Sequence, residues 1–105
     1  MNQITAQELK NITDANNYGR SYVIIDVREE LEYEMAHVKG TLHIPLGKIK
    51  KQKEDFSDFD DIYIHCQSGG RSGVACDLLK DLGISNAINI EGGIMAMQRV
   101  GFLIV

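Results

Sequence analysis

Three β-branched runs, each followed by a helix-forming segment, restrict this chain more than any other feature of its sequence. Tyr22-Val23-Ile24-Ile25-Asp26-Val27 and Ile62-Tyr63-Ile64-His65-Cys66 are near-continuous apolar stretches, and Ala87-Ile88-Asn89-Ile90 is a shorter third. β-Branched and aromatic residues favour extended backbone. A run without regular polar alternation suits a strand buried on both faces. Glu29 to Ala36 holds good helix formers, with acids in the first turn where the macrodipole favours them, and Gly40 lies just past its end. A second helix starts at Ser72; Ala75, Leu78, Leu79 and Leu82 fall at i, i+3, i+4 and i+7 as one buried stripe, and Gly83 supplies the stop. Ile94 to Val100 forms a third helix after Glu91-Gly92-Gly93. Strands alternating with helices at short intervals predict an α/β fold with a parallel sheet covered on both faces. Ligands of such sheets bind beyond the carboxyl ends of the strands, and Cys66 stands at one.

The rest of the chain fits around this plan. Thr5-Ala6-Gln7-Glu8 has the pattern of a capping box opening a short helix through about Ile12, and Asn16, Asn17 and Gly19 make a turn. Leu42-His43-Ile44 reads as a brief strand, while Lys48 to Asp61, a lysine group followed by an acidic group, reads as a solvated stretch. At 105 residues the expectation is one domain over residues 1–105, and 44% apolar with 25% charged residues is ordinary for a globular chain. No apolar run approaches the roughly 18 residues that span a bilayer, and Met1, Asn2 and Gln3 do not begin a signal segment, so a cytoplasmic setting with no membrane partner is expected. A net charge of -4 opposes the phosphate neutralisation that nucleic-acid binding needs, so no nucleic-acid partner is expected. Cys66 and Cys76 are read as free thiols of a reducing compartment. Neither belongs to a C-x-x-C pair, and His37, His43 and His65 lack ligand spacing, so neither metal nor cofactor is expected.

The chemistry concentrates at Cys66. This residue ends a strand and leads through Gln67, Ser68, Gly69 and Gly70 to Arg71 and a helix start at Ser72. Glycines let successive N–H groups turn toward one point, here the sulfur of Cys66, and the helix start adds unpaired N–H groups and a positive dipole end. Keeping a cysteine mostly ionised at neutral pH means lowering a pKa of about 8.5 by about 2 pH units, or about 2.7 kcal/mol. A helix terminus supplies at most about 2 kcal/mol. Two or three hydrogen bonds to the charged sulfur, at roughly 1.5 to 3 kcal/mol each, close the gap. His65 does not make a Cys-His catalytic pair, because neighbouring strand residues point to opposite faces. Without a base, an ionised thiolate suits attack on sulfur better than acyl transfer. Cys76, in the helix body, is read as structural.

These residues resemble the rhodanese family over nearly the whole chain. Asp26-Val27-Arg28-Glu29 is similar to the family's first motif, with Glu32, His37, Gly40 and Ile44-Pro45 following in place. Cys66 to Ser72 resembles its active-site loop, and Glu91-Gly92-Gly93 its late glycine motif. The resemblance implies a single rhodanese-like domain with a five-stranded, mostly parallel sheet between helices, and a sulfurtransferase that works through a Cys66 persulfide. Thiosulfate or another sulfane sulfur compound would be the donor, and cyanide, a small thiol or a thiol-bearing protein the acceptor. Carried over by position, Cys66 is the nucleophile, Gln67, Ser68, Gly69, Gly70 and Ser72 cradle the anion, and Arg71 holds the loop and its positive field. Asp26 and Arg28 would support the site from the neighbouring strand end, although for Arg28 and Glu32 a structural ion pair is the preferred role. Gly92 and Gly93 would permit a close turn near the pocket without touching the sulfur. The chain departs from the family's usual pattern at Thr41, His43 and Met97, three positions read as packing.

Two other functions share these residues. Cysteine-dependent phosphatases and arsenate reductases also hold a thiolate at a helix terminus with an arginine, but with five residues between the two, whereas Cys66 and Arg71 enclose four. The smaller loop suits a sulfur atom better than a tetrahedral phosphate. A sulfur-carrier or interaction module charged by a partner protein would use the same Cys66. The lysines at 48, 50, 51 and 53 are read as a solvated face in preference to a docking patch.

Overall fold

A computed structural model describes residues 2–105. Its strands are β1 (Asn2–Thr5), β2 (Tyr22–Asp26), β3 (Leu42–His43), β4 (Asp61–His65) and β5 (Ala87–Glu91), and its helices α1 (Ala6–Asp14), α2 (Glu30–Met35), α3 (Gly70–Asp81) and α4 (Gly93–Arg99). The five strands form one sheet in the order β1-β5-β4-β2-β3, and every pairing is parallel. Strand alternation divides the apolar side chains between two cores. Ile25 and Val27, with Ile62, Ile64 and Cys66, face α3, where Ala75, Cys76 and Leu79 meet them. Ile24, Tyr63 and Ile90 face the other side, against Leu9 of α1 and Ile94 and Met97 of α4. The sheet is thus covered on both faces, as the sequence predicts.

The capping box of α1 is formed: the Thr5 hydroxyl accepts from the Glu8 N–H and the Glu8 carboxylate from the Thr5 N–H, each at 3.1 Å. The helix runs two residues beyond Ile12. Asn16, Asn17 and Tyr18 all take left-handed backbone in the turn that follows. Asn17 anchors that turn: it is buried, donates to Asp61 Oδ2 and accepts from the Tyr63 hydroxyl.

Three sequence expectations are corrected, and one strand appears that no apolar run announces. β1 is not visible as an apolar run, because Asn2, Gln3 and Thr5 are exposed on an edge strand that buries no side chain fully. α3 starts at Gly70, two residues before Ser72, since Gly69 takes a left-handed φ of 117° and turns the chain directly into the helix. The buried stripe of α3 is Ser72, Ala75, Cys76 and Leu79; Leu78 is exposed, because the sheet meets the helix on the side of Cys76. Finally, the stretch from Lys48 to Asp61 is not simply solvated. Most of its lysine and acidic side chains lie outward, but Asp61 is tied to Asn17 and Arg20, and Ile49 and Phe56 are fully buried against the α3 face. At roughly 1.5 to 3 kcal/mol for each buried side chain, these two residues tie down a segment built of two short 3-10 turns.

Candidate active site

Cys66 follows the last residue of β4 and sits at the carboxyl edge of the sheet, only 1% exposed. The chain must turn within three residues from the strand into α3. Gly69 makes this turn, and its N–H points back at the sulfur, 3.1 Å away. The Ser72 hydroxyl, in the first turn of the 12-residue helix, lies 3.4 Å from the same sulfur. Burial pushes the Cys66 thiol up. Hydrogen bonds from the Ser72 hydroxyl and from the N–H groups of Ser72, Gly69 and Ser68 outweigh it, and the net direction is downward, toward thiolate. Cys76 has no such donors, and burial together with Asp77 raises it to about 11. Both cysteines are free.

Among the expected loop residues, Ser68, Gly69 and Ser72 therefore converge on the sulfur. Gln67 and Gly70 are exposed and donate nothing to it; Gly70 opens the helix. Arg71 is turned toward α2, where its two terminal nitrogens grip the Glu32 carboxylate at 2.5 and 2.9 Å. The Arg71 guanidinium holds the Glu32 carboxyl down at about 2, well below the usual carboxylate range. The pairing is thus intact at neutral pH and is lost only as the pH falls toward that value. Glu32 in turn raises Arg71, and the charge of Cys66 adds to this, which places the guanidinium within electrostatic reach of the sulfur.

Asp26 and Arg28 form a buried unit at the end of β2. The Asp26 carboxylate accepts from the Arg28 backbone N–H at 2.9 Å and from the Arg28 guanidinium, which also donates to the Ala36 carbonyl at 2.7 Å. Arg28 and Glu32 are each ion-paired, but with Asp26 and Arg71, not with each other. The link from this unit to Cys66 is His65, fully buried, with Nε2 3.7 Å from Asp26 Oδ2 and Nδ1 3.1 Å from the Cys66 carbonyl oxygen. Burial lowers the His65 pKa, against the pull of Asp26. The imidazole is aimed at the backbone of Cys66 and not at its sulfur, consistent with the strand alternation.

The late glycines lock the other side of the loop. The Ile94 N–H donates to the Cys66 carbonyl at 2.9 Å. A Cβ on Gly93 would lie 2.4 Å from that carbonyl oxygen and 2.5 Å from that of Gln67, at a φ of 58°. The positions that depart from the family's pattern have packing partners: Thr41 caps the Val38 carbonyl at 2.8 Å, His43 stacks on Tyr33 at 4.2 Å, and Met97 is fully buried.

Nothing in the sequence marks Asn89 as more than a strand residue, yet its side chain reaches the site. It projects from β5 on the face of α3, 3% exposed, with Oδ1 2.5 Å from the Ser72 hydroxyl. The signal was a lone amide inside an otherwise apolar strand. Among the described residues, no group of three or more His, Cys, Asp or Glu side chains is placed to hold a metal, and no helix is long and apolar enough to cross a membrane.

The family model of the rhodanese-like domain matches residues 5–99. A Bacillus subtilis protein named "Putative sulfur carrier protein YrkF" is 40% identical over 91 residues, covering 87% of this chain and 48% of its own length. The Allochromatium vinosum protein named "Sulfurtransferase" is 31% identical over 83 residues, covering 79% of this chain and 78% of its own. The crystal structure of a rhodanese-like domain protein from Staphylococcus aureus superposes with a TM-score of 0.82 at 32% identity, covering 98% of this chain and 97% of that one. The chain spans about half the length of the first curated relatives it matches.

Proposed function

Because the chain belongs to the rhodanese-like domain family, we propose that it is a sulfurtransferase that carries a sulfane sulfur on Cys66. One observation carries the reading: the Cys66 sulfur receives the Gly69 N–H at 3.1 Å and lies 3.4 Å from the Ser72 hydroxyl, at the start of a 12-residue helix. Among the described residues, no side-chain base is hydrogen-bonded to it. Such a cradle stabilises a negative charge without taking a proton, which is what sulfur transfer requires at both stages. The Cys66 thiolate attacks the outer sulfur of thiosulfate. A sulfur–sulfur bond forms to Cys66, the original one breaks, and sulfite leaves with its electron pair. The persulfide anion then occupies the place of the thiolate, until cyanide or a thiol takes the outer sulfur and returns the electron pair to Cys66. Arg71 supplies a local positive field and, through Glu32, braces the first turn of α3 against α2. Asp26 and Arg28 stand at one remove, as a buried ion pair beside His65, whose Nδ1 meets the Cys66 carbonyl.

A second reading rests on the name of the Bacillus relative: a carrier charged by a partner protein that delivers its sulfur to a protein thiol. It uses the same cysteine and cradle. The reduced cysteines fit a cytoplasmic setting, which belongs to the same proposal.

Intact-mass measurement after thiosulfate treatment tests the function. The expected result is the gain of one sulfur atom, its removal by cyanide, and repeated turnover to thiocyanate. A carrier would load from a protein persulfide but turn over thiosulfate slowly. A protein that gains no sulfur from either source contradicts both readings.

A further inference from the structure

The Ser72 hydroxyl has one proton and three acceptors within reach. Asn89 Oδ1 lies at 2.5 Å, the Gly69 carbonyl oxygen at 3.2 Å and the Cys66 sulfur at 3.4 Å. A hydroxyl donates one hydrogen bond at a time, so service to the sulfur competes with service to Asn89. The shortest contact takes the proton. The orientation of the amide is set by its other end, where Asn89 Nδ2 has two acceptors, the Gly69 carbonyl and Gln3 Oε1, each at 3.4 Å. With the nitrogen held there, the oxygen faces Ser72. Asn89 is 3% exposed, so if the Ser72 proton swings to the sulfur, Oδ1 is left buried without its protein donor. An unpartnered buried acceptor costs about 1 to 3 kcal/mol.

We propose that Asn89 is a positioning residue that withholds the Ser72 proton from Cys66, and so limits how far the cradle stabilises negative sulfur. The proposal goes beyond the sulfurtransferase reading, and its test reads the thiol itself, without any sulfur transfer. A weaker cradle has a chemical use. A thiolate stabilised too far is a poor nucleophile, since nucleophilicity falls with pKa. Asn89 sets this balance from a neighbouring strand, through a hydroxyl that touches both.

The experiment is the pH profile of Cys66 alkylation, read by mass spectrometry in wild type, Asn89→Leu, Ser72→Ala and the double variant. The charged and titratable groups around Cys66 stay the same in all four. They are Arg71 on α3 with Glu32 of α2 and its N-cap Glu29 behind it, His65 with Asp26 and Arg28 below, and Glu91 at the end of β5. In Asn89→Leu the labelling midpoint should fall by about one pH unit, because the Ser72 proton is then free for the thiolate. In Ser72→Ala the midpoint should stay near that of wild type, because the hydroxyl proton it removes is held by Asn89, and adding Asn89→Leu to it should change nothing further. Asn89→Ala serves as the second variant should leucine prevent folding, with the same expected fall. An unchanged or raised midpoint in the Asn89 variants overturns the proposal, and so does a fall of equal size in the Ser72→Ala background. Failure of sulfur uptake in wild type, with these midpoints as expected, would count against the sulfurtransferase reading alone.

Discussion

Cys66→Ser should bring sulfur uptake from thiosulfate, and thiocyanate formation with cyanide, below detection. A hydroxyl in the same cradle cannot form the persulfide, and its proton stays on at any pH the fold tolerates. The change is also nearly isosteric, in a residue 1% exposed, so the folded state should persist and a circular dichroism spectrum like wild type would show it. Cys76→Ser should leave both activities largely intact. That thiol is held at about 11 by burial and Asp77, so it is almost wholly protonated at neutral pH. Peptide mapping of the loaded wild type should place the added sulfur on Cys66. Sulfur found on Cys76, or turnover surviving in Cys66→Ser, would mean that the nucleophile has been misassigned.

Gly93→Ala should cost at least about 3 kcal/mol of stability, the largest effect expected from adding one methyl group to this protein. The new Cβ would lie 2.4 Å from the Cys66 carbonyl oxygen and 2.6 Å from the Gln67 carbonyl carbon, and these are backbone atoms that cannot rotate aside. The left-handed φ of 58° adds strain. Relief requires either α4 or the loop to withdraw. That breaks the 2.9 Å bond from the Ile94 N–H to Cys66 and loosens the cradle. Gly70→Ala is the control, since a Cβ there meets nothing within 4 Å and the residue is helical; it should stay within about 1 kcal/mol of wild type. Denaturant midpoints for the two variants measure the contrast. Equal stabilities would show that the loop and α4 are not locked together.

Much of this was legible in the sequence because it is local. The apolar runs of β2, β4 and β5 announce strands, Thr5 and Glu8 announce a cap, and the loop from Cys66 to Ser72 announces an anion cradle. What stayed hidden depends on partners distant along the chain. β1 is polar and extended only because β5 offers an open edge. Glu32 could be placed in an ion pair but not assigned to Arg71, 39 residues away. Asn89 looks like a blemish in an apolar strand until Ser72 is set above it. The start of α3 at Gly70 turns on one left-handed glycine, a conformation that Gly69 allows but that composition does not dictate.

The strand order has a consequence for the chain as it is made. β1 pairs with β5 alone, with Gln3 opposite Asn89, whereas β2 and β4 join across a separation less than half as long. The distance itself matters little, since each doubling of a closed loop costs only about 0.6 kcal/mol. The delay matters more. A ribosome releases β1 well before β5, so β1 has no edge to join until residues 87–91 have emerged. Gln3 closes onto Asn89, and Asn89 faces Ser72 and Cys66. Assembly of the cradle's outer support thus waits for β5, a delay set by topology and not by the strength of any one contact.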